Sequence, residues 1–192
     1  MGMIRAFIAV DLSPEVLRQL EAVHQQLKQS FPAGAVRWTP VKNIHLTLKF
    51  LGDVSESNLA ALFAILDKEA QRTAGFEIQV GGLGAFPSLQ RPRVVWAGVQ
   101  APPELATLQR AIDVETARLG YASEERGFSP HLTLGRVARS ASPSEAHQVG
   151  MILGEMQVGG LGVCRIQAVY FYRSDLNPQG ALYTRLHSAA LK

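Results

Sequence analysis

The sequence predicts a mixed helix-and-strand fold built as two related lobes about a pseudo-two-fold axis. Three observations predict it. His-Leu-Thr-Leu occurs at 45–48 and again at 131–134, and Gln-Val-Gly-Gly-Leu-Gly occurs at 79–84 and again at 157–162. Both pairs run in the same order with a helical segment between the two motifs each time, so a helix–strand–helix–strand unit is repeated. A composition of 47% apolar and 18% charged residues over 192 residues suits one folded unit with a sizeable core. The first motif recurs after 86 residues and the second after 78, so the two copies are related but not identical in length. No linker or low-complexity tract interrupts the chain, and residues 1–192 read as a single unit made of the two lobes.

Segment 3–10, MIRAFIAV, reads as a buried strand. Ser13-Pro14 then opens a helix: Ser caps free N–H groups, Pro suits the first turn, and Val16, Leu17, Leu20, Val23 and Leu27 follow at helical spacing. Residues 31–40, rich in Pro and Gly, read as a loop. Segment 44–51 alternates and reads as a strand. Ser55 is expected to open a second helix, with Leu59, Leu62, Phe63 and Leu66 on one face, and 76–81 and 93–99 read as strands. Pro102-Pro103 precede a helix carrying Leu105, Leu108, Ile112 and Leu119. Segment 128–137 holds the next strand. Ser142-Pro143-Ser144-Glu145 is a capping box that starts a helix to about 156. Strands near 157–163, 165–173 and 181–187 finish the chain.

No apolar run is long enough to cross a bilayer. The short apolar opening stops at Asp11 without a cleavage signal, and Ala6 stands where an acylation signal after Gly2 needs Ser or Thr. The single cysteine, Cys164, allows no internal disulfide and sits in an apolar stretch as a small core residue. A soluble, cytoplasmic protein, monomeric and not membrane-bound, is expected. The net charge is +3, and 14 of the 19 basic residues are Arg, the residue best matched to phosphate.

Alternate side chains of a strand share a face. His45, Thr47 and Lys49 are thus expected on one face of their strand, with Leu46, Leu48 and Phe50 on the other. His131 and Thr133 share a face opposite Leu132 and Leu134. Related lobes would bring both His-Thr pairs to one cleft. That set suits in-line attack on phosphorus, where one group must take a proton from the nucleophile and another give one to the leaving oxygen. Imidazole can do either near neutral pH, and threonine hydroxyls can donate to the non-bridging oxygens. A single such histidine would read as structural; two copies of one tetrapeptide read as function.

The remaining candidates are weaker. Arg136 lies five residues after His131. Strict alternation would turn it away, whereas a bulge at Gly135 would re-aim it. Trp38 is a candidate base-stacking residue, with a loop aromatic capping the core as the alternative. Phe7 reads as core, on a strand that could line the cleft. Asp53, Glu124 and Glu125 are the acids near the motifs, and none is expected on the His-Thr face. His24, His147 and His187 lack ligand spacing, so neither a metal nor another cofactor is expected. The Gly-rich repeats lack the Lys-Ser or Lys-Thr of a phosphate loop and read as turns or bulges at strand ends. No Lys-x-Asp-Gly motif suggests an ATP-driven ligase.

The paired His-x-Thr-x motifs resemble the 2H phosphoesterase superfamily, and more narrowly its bacterial RNA 2′,3′-cyclic phosphodiesterases, also called 2′-5′ RNA ligases. The likeness runs from Met3 to the C-terminus. It covers Ile4-Arg5-Ala6-Phe7-Ile8-Ala9, Trp38, Asn43-Ile44-His45-Leu46-Thr47-Leu48 with Phe50-Leu51-Gly52, Phe128-Ser129-Pro130-His131-Leu132-Thr133-Leu134 with Gly135-Arg136, and the tail Ser174-Asp175-Leu176 with Gly180-Ala181-Leu182-Tyr183. The resemblance implies an α+β fold, with two antiparallel sheets and outer helices around a central cleft. It implies hydrolysis of a 2′,3′-cyclic phosphate on RNA ends or nucleotides to a 2′-phosphomonoester. His45 would be the acid and His131 the base, although the near symmetry permits the reverse. Thr47, Thr133 and Arg136 would hold the phosphate. ATP-independent 2′-5′ ligation in the same site, a non-catalytic RNA-end binder and other small cyclic phosphates are the alternatives.

Overall fold

The structure, a computed structural model, describes residues 2–124, 127–177 and 180–192. Its strands are β1 (Met3–Val10), β2 (Val36–Trp38), β3 (Leu46–Ser55), β4 (Phe76–Phe86), β5 (Val94–Gln100), β6 (His131–Val137), β7 (Gly160–Ile166), β8 (Ala168–Asn177) and β9 (Gly180–Ala190). Its helices are α1 (Pro14–Ser30), α2 (Leu59–Gln71), α3 (Pro103–Arg118) and α4 (Pro143–Glu155). The starts of α1 and α4 follow their capping chemistry. Ser13 Oγ accepts from the Val16 N–H at 3.3 Å. Ser142 and Glu145 form the reciprocal box, with Glu145 N–H to Ser142 Oγ at 3.2 Å and Ser142 N–H to Glu145 Oε2 at 2.7 Å.

All strand pairings are antiparallel, in the order β7-β4-β5-β6-β3-β1-β8-β9, with β2 alongside β6. The two motif strands meet at one residue pair, Leu46 opposite Leu132. The sheet is therefore two four-stranded halves touching at that point. In the first lobe β3-β1-β8-β9 carries α2 and α3, and in the second β6-β5-β4-β7 carries α1 and α4. Each lobe thus takes a helix from each half of the chain. The apolar faces form one continuous core running through both lobes, from Ile8, Val10 and Leu20 to Ile112, Leu134 and Phe171.

The Gly-rich repeat does not follow the two-fold. Its two copies lie side by side on β4 and β7 of one lobe, with Val80 opposite Gly162 and Gly81 opposite Gly160. The position that β4 takes in the second lobe is taken by β8 in the first. The reason is connectivity: after α2 the chain crosses to pair with β5, and after α4 it adds β7 to that same sheet before returning as β8. The glycines serve bulges and close approach within strands. Gly82, at φ +68°, sits where β4 slips register against β5, and a Cβ on Gly84 would lie 2.3 Å from the Trp96 ring.

Two local readings change. Residues 31–40 contain β2, a three-residue strand too short to leave a period in the sequence. Ser55 does not cap α2; a 3-10 turn, Glu56–Asn58, comes first. Among the described residues no helix is long and apolar enough to cross a membrane.

Candidate active site

A residue pair in an antiparallel ladder is itself a local two-fold. With Leu46 and Leu132 as that pair, buried at 1% and 0% exposure, the residues on either side of each face the opposite way. His45 directly precedes β3 and His131 opens β6. His45, Thr47, His131 and Thr133 all line one cleft of about 570 Å³, together with Arg136 and Tyr183. That volume suits a nucleotide-sized ligand. Neither threonine hydroxyl is held by another described residue, so both are available to a ligand.

Both motif strands carry a bulge at the same place. Against β1, Ala9 pairs with Thr47 and Ile8 with Lys49, leaving Leu48 extra. Against β5, Trp96 pairs with Thr133 and Val95 with Gly135, leaving Leu134 extra. The burial pattern repeats accordingly over 45–50 and 131–136: half-buried His and Thr alternate with buried Leu, then comes a second buried residue and an exposed one. The bulge reverses the alternation beyond it. Arg136 is thereby brought to the cleft. Its counterpart Phe50, expected on the core face, is 61% exposed and lines the same cleft. Lys49, expected beside His45, does lie in the cleft wall, but it is buried there and paired with Asp113.

The two imidazoles are held alike. His45 Nδ1 donates to the Asn43 carbonyl at 2.8 Å, and His131 Nδ1 donates to the Ser129 carbonyl at 2.8 Å. A carbonyl can only accept, so each bond assigns the proton to Nδ1 and leaves Nε2 free for chemistry. The surroundings differ. Phe7 stacks on His45 at 4.6 Å between ring centres, and Tyr183 meets it edge-on at 5.3 Å. Phe86 meets His131 edge-on at 4.9 Å. Burial pushes His45 below the ordinary histidine range, against the opposing effects of the Asn43 carbonyl and the Asp11 carboxylate. Behind it, Tyr172 donates to Asp11 at 2.8 Å, and burial pushes the Tyr172 hydroxyl up to about 12, which keeps that proton in place.

Two expected residues are placed elsewhere. Trp38 faces away from the cleft. It stacks on Phe31 at 5.5 Å, meets His24 edge-on at 4.8 Å and lies over Gly135, so it closes the core. Phe7 is only 3% exposed and does not line the cleft; it supports the His45 ring from behind. Of the acids, Glu124 does line the cleft, Asp53 lies opposite Arg5 in the sheet, and Glu125 falls outside the described residues. Among the described residues no three His, Cys, Asp or Glu side chains gather as a metal site would need. His24 is buried and bonds the Leu134 carbonyl at 3.3 Å, and His187 bonds Asp67 at 2.7 Å. His147 is exposed, and Cys164 is buried, accepting from the Ser13 N–H at 3.1 Å.

Sequence reasoning missed the carbonyls of Asn43 and Ser129. Their signal was available, because each stands two residues before a motif histidine. Asn43 also ties β9 to the site through its side chain, which donates to the Ala181 carbonyl at 2.8 Å. Tyr183, which ends the tail segment that carries the resemblance, comes to His45 from the far end of the chain.

A family model for LigT-like phosphoesterases matches residues 10–96, which include the first His-Leu-Thr-Leu. An RNA 2′,3′-cyclic phosphodiesterase of Methanothermobacter thermautotrophicus is 35% identical over 181 residues, covering 94% of this chain and 95% of that protein. One from Thermotoga maritima is 31% identical, covering 96% and 94%. The crystal structure of E. coli LigT complexed with 3′-AMP superposes with a TM-score of 0.80 at 28% identity, covering 100% of this chain and 99% of that one. These relatives share the chain nearly end to end, and with them the antiparallel sheets and outer helices, so the chain belongs to the LigT-like phosphoesterase family.

Proposed function

We propose that this chain hydrolyses 2′,3′-cyclic phosphate ends of RNA to 2′-phosphomonoesters, with His45 and His131 as the proton carriers. The observation that carries the reading is the matched pair of imidazoles, each fixed through Nδ1 by the carbonyl two residues before it, on the walls of one cleft. Relatives at 31–35% identity bear the name of this activity, and a 3′-nucleotide complex of E. coli LigT has the same fold.

In the scheme, His131 Nε2 takes a proton from water as its oxygen attacks phosphorus. The P–O3′ bond breaks, and protonated His45 gives its proton to the departing O3′. The products are a free 3′-hydroxyl and a 2′-phosphate. Thr47, Thr133 and Arg136 donate to the non-bridging oxygens, where negative charge accumulates. The dry setting of His45 lowers its affinity for a proton, which makes its imidazolium a stronger donor. The arriving phosphate anion supplies the charge that favours the imidazolium before the step.

The test is turnover of nucleoside 2′,3′-cyclic phosphates in EDTA, with products resolved as 2′- or 3′-phosphates. Turnover to the 2′-phosphate is expected. His45→Ala and His131→Ala should each lose about 100-fold or more in kcat, the usual contribution of a positioned acid or base. Full activity in both variants, or a 3′-phosphate product, would overturn the scheme.

A further inference from the structure

Cleft-facing Arg136 has an unusual neighbour. β2 pairs with β6 so that Arg37 lies directly opposite Arg136, with Val36 opposite Val137 and Trp38 opposite Gly135. Residues directly opposite in an antiparallel pair point to the same face, their Cβ atoms roughly 5 Å apart. Two features confirm the direction of Arg37. Val36 is buried and Trp38 covers Gly135 on the core side, so Arg37 between them points the other way. Thr39, two residues on, lines the cleft.

Two guanidinium groups side by side repel, and sheets ordinarily separate such pairs or give them a carboxylate. Among the described residues neither Arg37 nor Arg136 has an acidic partner or a hydrogen bond from its side chain. Arg72, Arg118, Arg173 and Arg185 are each paired with a carboxylate, and what sets Arg37 and Arg136 apart from the other arginines without one is that they stand directly opposite each other in the ladder. These two cations stand in line, Arg136 in the cleft and Arg37 beyond it on the open surface. A chain of phosphates has that form, and Arg binds phosphate oxygens in a fork.

We infer that Arg37 is a second phosphate site that binds the phosphodiester next to the reacting cyclic phosphate, so the enzyme prefers an RNA chain end over a free cyclic mononucleotide. The inference rests on the proposed phosphodiesterase activity and assigns the length preference of that same cleft. A mononucleotide carries only the phosphate at the histidines, and Arg37 has nothing to bind. A trinucleotide presents the next phosphate to it. The contact is electrostatic and blind to sequence, so it selects for length without selecting for base.

The test compares adenosine 2′,3′-cyclic phosphate with an adenosine trinucleotide ending in the same group, in the wild-type protein, Arg37→Ala and Arg37→Lys. The wild type should favour the trinucleotide in kcat/KM. In Arg37→Ala the trinucleotide-to-mononucleotide ratio should fall about tenfold, the effect of losing one charged hydrogen-bonding contact. Arg37→Lys, which keeps the charge and loses the fork, should fall between. The slope of log kcat/KM against log salt for the trinucleotide should become shallower by about 0.7 in Arg37→Ala. Thermal stability of that variant should hold or rise, because a repulsive neighbour is gone. An unchanged ratio and salt slope would overturn the assignment of Arg37. If the wild type turns over neither substrate, the phosphodiesterase reading itself falls. Arg37 is then judged by titration with a trinucleotide 3′-phosphate, where equal affinity of wild type and Arg37→Ala overturns the inference and a weaker Arg37→Ala supports it.

Discussion

Lys49 stands two residues beyond Thr47 on β3, and only 1% of its side chain is exposed. Its ammonium donates to Asp113 Oδ1 on α3 at 2.5 Å and to the Ala122 carbonyl. Asp113 Oδ1 also accepts from the Glu124 backbone N–H at 3.3 Å. One buried cation thus ties the first motif strand to the segment that leads into the second motif and carries the Ser129 carbonyl behind His131. Lys49→Met keeps the volume and removes the charge. Breaking a buried pair by removing one partner costs about 3–5 kcal/mol. Asp113 is 15% exposed and keeps some water, which puts the expected loss near the lower end, about 3 kcal/mol. For a chain of this size that is about 6–12 °C in Tm. Asp113→Asn alone leaves the ammonium without its counter-charge and should also be costly. The double variant should lose about 2 kcal/mol less than the sum of the singles, as expected for residues in direct contact. Burial alone would raise Asp113, but the Lys49 bond and charge and the Glu124 N–H outweigh it and hold the carboxyl below its ordinary range. The contribution of the pair is therefore full above the unfolded aspartate value and lost as pH falls through the folded one. Urea denaturation of the four proteins at neutral pH measures the cycle. Additive losses, or a single-variant loss below about 1 kcal/mol, would refute the coupling.

Three further outcomes follow from the same geometry. Trp38→Phe should leave KM within about twofold and lower stability by about 1–2 kcal/mol, because the indole closes the core and does not meet substrate; a large rise in KM would return Trp38 to the cleft. Burial lowers both His24 and His45 below ordinary histidine, and for His24 the Lys28 charge adds to it. In the unfolded chain both bind protons more readily, so stability should fall as pH drops from about 7 to 5, as measured by Tm across that range. His24→Gln should flatten that slope by up to about one proton, because the buried His24 Nδ1 has no partner among the described residues to receive a proton from it; an unchanged slope would contradict this.

The parts of the fold legible in the sequence are those set by neighbours in the chain. Ser13-Pro14 and Ser142 with Glu145 act within four residues, and the helices start where those side chains put them. The alternation of His-Leu-Thr-Leu survives because the bulge falls on the last residue of each tetrapeptide, Leu48 and Leu134, so the faces reverse only after it. Beyond Leu48 and Leu134 the period of two breaks, and with it the expected core face of Phe50. Nothing in Lys49-Phe50 itself announces a bulge, whereas Gly135 allowed one before Arg136. The Gly-rich repeat misled for a different reason. Similar strands can be mates across an axis or neighbours in a sheet, and sequence similarity does not distinguish the two. Trp38 and Phe7 sit on motif-flanking segments, but the face each presents is fixed by β2 pairing with β6 and by the aromatic group of Tyr172 and Tyr183, both set by distant parts of the chain.

The central claim is that two imidazoles from related lobes act on one phosphorus. A crystal structure of the protein with a nucleoside 2′-phosphate in the cleft tests it most directly. The account predicts Nε2 of His131 within hydrogen-bond distance of a terminal oxygen of the 2′-phosphate and Nε2 of His45 within hydrogen-bond distance of the freed 3′-hydroxyl beside it, with the Thr47 and Thr133 hydroxyls on the remaining phosphate oxygens. A phosphate seated away from His131, or a 3′-hydroxyl with His45 out of reach, would contradict it.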